Sequence, residues 1–313
     1  MLDNRVCRPF MLPNLSNLST RKLPQPPPPS LDEGIHRLDD KSKPSFIYVK
    51  SAVRVEPQDV ATFANFMIHN VASTPNPMNP STNILRKQAT FQPTTFKNYA
   101  FSGQTMQTVG GDPLDWARTT GSTILTTVLE DAQTRAEASG INKQLYNVVH
   151  ANYYPDGKAG VALHKDDEDH MVAGMPIFSY TFLVGHKNAR TFVIARAPIL
   201  AEQESQRSDY DRKKAERAQK ASISGAPTKL DKSKFKPVPI ILYRIPLGDG
   251  DLVIMQGEMQ KHYTHGLPAE NRKEFANAPR INLTVRAFKP TEQSRVAWTG
   301  SVDRSHLTAC VWY

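Results

Sequence analysis

A chain of 313 residues, 39% hydrophobic and 8% aromatic, is long enough for one large domain with a tail or for two smaller ones, and can bury a sizeable core. Its formal charge of +9 suits a polyanionic partner without demanding one. The only cysteines, Cys7 and Cys310, exclude a disulfide framework and a thiolate metal site, no apolar run approaches the ~18 residues of a membrane span, and Met1 is not followed by a signal-like segment, so the chain reads as soluble, intracellular and reducing in habitat.

Residues 1–44, with "LPQPPPPS" and little periodic hydrophobicity, read as a disordered or polyproline-like leader. Globular composition begins at "SFIYVKSAV". The spacing in "FANFMIHNVA" predicts a short helix, and "STNILRKQATFQ" and "NYAFSGQTM" predict two short strands. "DWARTTGSTILTTVLEDAQTRAEASG" has apolar residues at helical spacing and a terminal Gly, predicting a helix that flanks a sheet.

After residue 144 short strands follow one another: "LYNVVHANYY", "IFSYTFLVG", "RTFVIAR", "IILYRIPL", "DLVIMQG" and "INLTVRAF", rich in β-branched and aromatic residues. Turn signals such as "YPDGKAG" and "PLGDGD" separate them. This order predicts a sandwich, barrel or jelly roll rather than alternating β-α units. Residues 201–237 interrupt the run with ten Lys/Arg against six Asp/Glu, and "DRKKAERAQK" is helix-prone. That segment reads as a solvated insertion, with an electrostatic contact to nucleic acid as the alternative. "RKK" at 212–214 is too short to serve as a nuclear signal, and a nuclear address stays open.

"ALHKDDEDHM" is the densest chemistry in the chain. In a strand or its exit, residues i and i+2 point to one side, so His164 and Asp166 can converge on one ion. A distal His after a strand would complete the set, and "HYTH" at 262–265 follows "DLVIM". Two His and one Asp on one face leave coordination positions open, the donor set of mononuclear non-haem iron(II). In "RINLTVR", Arg280 and Arg286 are an even number apart and can face one side of a strand, where two guanidiniums could grip a small dicarboxylate such as 2-oxoglutarate. Asn152 and Tyr154, again at i and i+2, can meet the same ligand.

With these motifs the stretch from about 84 to 289 resembles the AlkB family of iron- and 2-oxoglutarate-dependent dioxygenases. "RKQATF", "YAFSG", "N-Y-Y-PDG", "H-K-D-D-E", "P-I-FSYTFLVG", "R-T-F", "GDLVIMQGEMQKHYTHGLP" and "RINLTVR" come in the family's order and spacing. The first two look most like the branch that repairs alkylated DNA. The resemblance implies a fold that is mainly β with flanking α, a double-stranded β-helix (jelly roll) core with an N-terminal nucleotide-recognition lid. It divides the chain into the leader, a lid with flanking helices at 45–140, a dioxygenase domain at 141–292 that includes the basic insertion, and a tail at 293–313.

The resemblance also implies roles. His164, Asp166 and His265 match the iron(II) ligands, with His262 left to a supporting or structural place beside them and His150 and His170 as ordinary polar residues. Arg280 matches the partner of the distal carboxylate of 2-oxoglutarate, and Arg286, Asn152, Tyr154 and Asn282 its remaining polar partners. Asp167 matches the position that reads the methylated base, Glu168 supports its loop, and Arg86, Gln88, Tyr99 and Ser102 fall in the lid. The implied reaction consumes O2 and 2-oxoglutarate and removes the methyl group of 1-methyladenine or 3-methylcytosine as formaldehyde, from a base flipped out or single-stranded. A monomer acting on alkylated DNA is the expectation, with RNA or a protein side chain as other substrates of the same chemistry and an inactive nucleic-acid-binding module as the non-enzymatic alternative. Where duplex-repair relatives place an aromatic wedge before "RKQAT", this chain has only Ile84 and Leu85, which weighs against duplex DNA.

Overall fold

In the computed structural model the described residues are 34–36, 38, 46–76, 79–92, 100–101, 104–105, 111–166, 171–172, 174–224, 235–256 and 259–289. In chain order they form β1 (Gly34–His36), β2 (Phe46–Val49), α1 (Pro57–Asn70), β3 (Pro75–Asn76), β4 (Asn79–Asn83), β5 (Lys87–Phe91), β6 (Ala100–Phe101), β7 (Gln104–Thr105), α2 (Pro113–Thr120) and α3 (Ile124–Ala138). There follow β8 (Tyr146–Tyr154), β9 (Val161–His164), β10 (Ile177–Leu183), β11 (Arg190–Arg196), α4 (Leu200–Ser224), β12 (Ile240–Leu247), β13 (Leu252–Met255), α5 (Met259–His262), β14 (Tyr263–Leu267) and β15 (Arg280–Ala287).

Two antiparallel sheets carry the fold, one in the order β1-β2-β13-β10-β15-β8-β5 and the other β12-β11-β14-β9. From β8 on the strands alternate between the sheets except at the β11–β12 pair, which stays in the small sheet, so β8, β10, β13 and β15 face β9, β11, β12 and β14. This is the double-stranded β-helix expected from the sequence.

The period-2 alternation of the large sheet explains where the site lies. On β15, Ile281, Leu283, Val285 and Ala287 turn to a core shared with Val60, Phe63 and Met67 of α1 and with Ile124, Leu125 and Val128 of α3. Arg280, Asn282, Thr284 and Arg286 alternate with them and face the opposite sheet. On β8 the same rule sends Val149, Ala151 and Tyr153 to the helices and His150, Asn152 and Tyr154 inward. The inner face is therefore polar, and a separate apolar cluster that includes Phe46, Phe192, Ile194, Val253 and Met255 seals one end of the space between sheets.

Four local expectations change. Gly34–His36, inside the stretch read as a disordered leader, pairs with β2, because Phe46–Val49 leaves an edge for it. β2 and β5, read as parts of a separate N-terminal region, are hydrogen-bonded to β13 and β8 and extend the large sheet. The single helix expected over "DWARTTGSTILTTVLEDAQTRAEASG" is two helices: Gly121 adopts φ 73° and ends α2, and Asp59 accepts from the Thr123 N–H and hydroxyl at 3.0 and 2.7 Å where α3 starts. "HYTH" does not simply follow the strand "DLVIM"; α5 lies between, and His265 sits inside β14.

The β12–β13 turn is fixed by one buried carboxylate. Asp251 accepts from the Tyr48 hydroxyl at 2.8 Å, the Ser51 N–H at 2.9 Å and the Gly248 N–H at 2.7 Å. A Cβ on Gly250, whose φ is 73°, would collide with the Val53 carbonyl. Asp251→Ala strands these donors and is expected to remove roughly 2–4 kcal/mol, a fall in Tm of roughly 5–15 °C by thermal denaturation. A melt within a degree or so of wild type would show that the turn is not held in this way.

Candidate active site

Between the two sheets lies a pocket, lined on the large-sheet side by Arg86, Gln88, His150, Asn152, Tyr154, Ser179, Arg280, Asn282, Thr284 and Arg286, and on the other by His164, Asp166, Phe192 and His265. His265 on β14 lies opposite His164 on β9. Asp166 leaves β9 two residues later and turns back to the pair: its Oδ1 is 3.6 Å from His164 Nε2 and its Oδ2 is 3.4 Å from His265 Nε2. All three donor atoms lie within 4.8 Å of one another, the one such cluster among the described residues. Donors about 2.1 Å from a shared metal and at right angles would stand about 3 Å apart, so small inward shifts close the set.

The surroundings fix the charge and orientation of each donor. His164 Nδ1 lies 2.9 Å from the Ala162 carbonyl, which only accepts, so Nδ1 carries the proton and Nε2 presents its lone pair. Burial, reinforced by His265 alongside, lowers the His164 imidazole to about 4, and it is neutral at physiological pH. His265 Nδ1 has no hydrogen-bond partner among the described residues, and the ring is instead packed against Phe192 at 5.6 Å between centroids. Burial opposes ionisation of Asp166, but Arg286 and the two imidazoles outweigh it and hold its carboxyl well below the usual range. Arg286 Nη2 donates to Asp166 Oδ1 at 2.8 Å, and the Asp166 N–H donates to Gln260 at 2.9 Å. Arg286 is thus paired with the carboxylate of the donor set while still lining the pocket.

Arg280 lies elsewhere on the pocket wall. It is 2% exposed, donates from Nη2 to Thr181 Oγ1 at 2.7 Å and places Cζ 5.3 Å from the Tyr154 ring centroid. Its Nε meets no acceptor among the described residues, and no carboxylate pairs with it there. Burial lowers this guanidinium to about 10, partly offset by Tyr154. Arg190 Cζ lies 5.6 Å from the same ring, itself held by the carbonyls of Asp156, Gly157 and Pro268 at 3.1, 3.2 and 2.9 Å. A buried cation short of an anion is costly unless a ligand supplies one.

The sequence profile of the 2OG-Fe(II) oxygenase superfamily matches residues 67–286. The chain belongs to that superfamily. Among its relatives, the DNA oxidative demethylase ALKBH2 of Bos taurus is 28% identical over 218 residues, covering 70% of this chain and 58% of that one. The protein of the same name from Homo sapiens is 29% identical over 208 residues, covering 66% and 58%. The match thus spans little more than half the length of these relatives. Among solved structures, that of OsALKBH1 aligns at 13% identity with a TM-score of 0.38, over 79% of this chain and 98% of that one.

The donor chemistry fits the superfamily's cofactors. Two imidazoles and one ionised carboxylate suit iron(II), and the buried Arg280 guanidinium, with its Nε unsatisfied among the described residues, suits a carboxylate of 2-oxoglutarate.

The structure brings together His164, Asp166, His265, Asn152, Tyr154, Arg280, Asn282 and Arg286 in one pocket, with Arg86 and Gln88, assigned to the lid from the sequence, lining the same pocket. These two reach it from the edge of the large sheet: Asn152 Oδ1 accepts from Arg86 Nε and Gln88 Nε2, each at 3.2 Å. Asn282 Nδ2 donates to Ser179 Oγ at 2.8 Å and the Tyr180 carbonyl at 2.9 Å. Tyr99, Ser102, Asp167 and Glu168, and with them His170, lie outside the described residues. His262 is exposed and outside the donor cluster.

Sequence reasoning passed over two residues. His150, set aside as an ordinary polar residue, is buried in the pocket wall with Nδ1 3.3 Å from Thr90 Oγ1. Arg190 buttresses Tyr154 as described above; its place in "RTFVIAR", a run otherwise fit for a buried strand, was the available signal.

Proposed function

We propose that this chain is an iron(II)- and 2-oxoglutarate-dependent oxidative demethylase of N-methylated bases, such as 1-methyladenine and 3-methylcytosine, in DNA. The observation that carries it is a single pocket in which three metal donors on one wall face a buried arginine on the other, whose Nε has no partner among the described residues. The choice of DNA rests on the similarity to the two DNA oxidative demethylases.

His164, Asp166 and His265 would hold iron(II), and Arg286 keeps Asp166 ionised and aimed at it. Arg280 would bind the distal carboxylate of 2-oxoglutarate, with Thr181 and Tyr154 setting its angle. Asn152, Tyr154 and Asn282 would line the keto acid. The bound metal and keto acid would supply the oxidising power: one oxygen atom of O2 would end in succinate as 2-oxoglutarate loses carbon dioxide, and the other on the N-methyl carbon, which would leave as formaldehyde. The protein's share is placement and exclusion of water. Arg86 and Gln88, with Tyr99 and Ser102, would cover the flipped base, and Asp167 with Glu168 would favour a cationic one. The enzyme would act as a monomer inside the cell, in a compartment that holds DNA.

The test is formaldehyde release from methylated single-stranded DNA, duplex DNA, RNA and a methylated peptide, with iron(II) and 2-oxoglutarate supplied and His164→Ala as control. We expect release from single-stranded DNA above duplex DNA, lost in His164→Ala. Release from RNA or peptide alone would overturn the substrate, and no turnover of any substrate would favour a binding module.

A further inference from the structure

Helix α4 interrupts the small sheet between β11 and β12, and nothing in the site requires it. It has no core to cover: every residue from Asp211 to Lys220 is exposed. A helix that is polar all round needs another reason to persist, such as internal pairs or a bridging role.

Its first turns are fastened to the body. Arg196 donates to both carboxylate oxygens of Glu202 at 2.7 and 2.8 Å, and the Ile199 N–H donates to the same group at 2.9 Å. Gln206 and Val238 exchange hydrogen bonds of 3.0 and 2.8 Å across the neck, and the Tyr210 and Phe235 rings sit 5.8 Å apart. Beyond Tyr210 the ion pairs formed among the described residues are internal, with Arg212 bridging Asp209 at 3.0 Å and Glu216 at 3.1 Å.

The outer half is strongly one-signed. From 212 to 224, Arg212, Lys213, Lys214, Arg217 and Lys220 face a single acid, Glu216. Lys213, Arg217 and Lys220 fall at i, i+4 and i+7, one stripe about 10 Å long. None of the three makes an ion pair with a described residue. Like charges at this spacing repel, by about a few tenths of a kcal/mol per pair, and only Asp209, four residues before Lys213, and Glu216, four before Lys220, stand within reach to offset it along the described helix.

The neck leaves the fold beside the metal donors. Ile194 pairs with His265, which pairs with His164, and Arg196, two residues further along β11, pairs with Tyr263 and with Ile240 where β12 begins. At about 3.3 Å per residue the neck stands about 7 Å beyond the level of His265.

We propose that the outer half of α4 is a docking arm for the DNA strand that presents its base to the pocket, with Lys213, Arg217 and Lys220 pairing with successive phosphates. The proposal rests on the DNA reading above. It gives the enzyme a grip on substrate that does not depend on base identity.

The test uses the full chain and Lys213→Gln, Arg217→Gln and Lys220→Gln combined, since glutamine keeps helix propensity. Affinity for a long single-stranded DNA is measured across salt concentrations by fluorescence anisotropy, beside demethylation kinetics and a thermal melt. With about 0.7 in slope per phosphate on single strands, the salt dependence of log K is expected to shrink by about 2. KM for a methylated long strand should rise at least about tenfold at low salt with kcat held, KM for a methylated trinucleotide should hold, and Asp211→Asn on the opposite face should not weaken binding. An unchanged slope overturns the arm even if demethylation proceeds. A reduced slope in the triple variant, beside a wild type that demethylates nothing, keeps the arm and sinks the substrate reading. Loss of RNA affinity with DNA affinity intact overturns the assignment to DNA, and a wild type with no salt-dependent binding overturns the arm outright.

Discussion

Arg280→Met is expected to weaken 2-oxoglutarate binding by roughly 30-fold to several thousandfold while raising the Tm of the ligand-free chain. The two effects have opposite signs for one physical reason. Without a ligand the guanidinium is buried against Thr181 and Tyr154 with no carboxylate beside it among the described residues, and its Nε is unsatisfied there. Replacing such a cation by an apolar side chain of similar length removes a desolvation penalty. With the keto acid bound, the same group becomes one half of a buried, hydrogen-bonded charge pair, and truncating it forfeits about 2–5 kcal/mol at tenfold per 1.4 kcal/mol. Isothermal titration with 2-oxoglutarate and a melt of the ligand-free chain read both signs. Arg280→Lys keeps the charge but loses the planar fork, and should fall between the two. A methionine variant that binds 2-oxoglutarate as tightly as wild type would place the carboxylate elsewhere in the pocket.

Asp166→Asn is expected to abolish iron loading and to destabilise the fold as well. The carboxylate is 2% exposed as a side chain and serves two imidazoles and Arg286 at once. The amide removes an anionic donor and strands a buried guanidinium, a change of about 3–5 kcal/mol. His164→Ala should lose iron as well but lose less stability, because the imidazole is 29% exposed. Iron content after anaerobic reconstitution, beside thermal melts of both variants, separates the two contributions. Equal losses of stability would mean that the Arg286 pair contributes little to folding.

The site was legible in the sequence where its logic is local. His164 and Asp166 lie two apart, as do Asn152 and Tyr154, and the even spacing of Arg280, Asn282 and Arg286 puts them on one strand face. The strands β11 and β12 were read to the residue, because β-branched runs bounded by turn residues are a local signal. What stayed hidden depends on which strands meet. Arg86, Gln88 and Asn152 join only because β5 pairs with β8, and Arg286 reaches Asp166 across 120 positions of chain. The two arginines of "RINLTVR" therefore looked alike by spacing and differ in partner: Arg286 donates to Asp166 and Arg280 to Thr181. Gly121 broke a helix that periodicity alone runs together, since its φ of 73° is a property of the backbone rather than of the apolar pattern.

The most direct measurement is an anaerobic titration of 2-oxoglutarate into the chain, with and without one equivalent of iron(II), followed by visible absorbance and calorimetry. The expected result is a charge-transfer band that grows to one keto acid per chain only when iron is present, is absent in Asp166→Asn, and needs far more 2-oxoglutarate in Arg280→Met. A keto acid that binds equally well without iron, or a band that survives in Asp166→Asn, would contradict a shared site for metal and 2-oxoglutarate in this pocket.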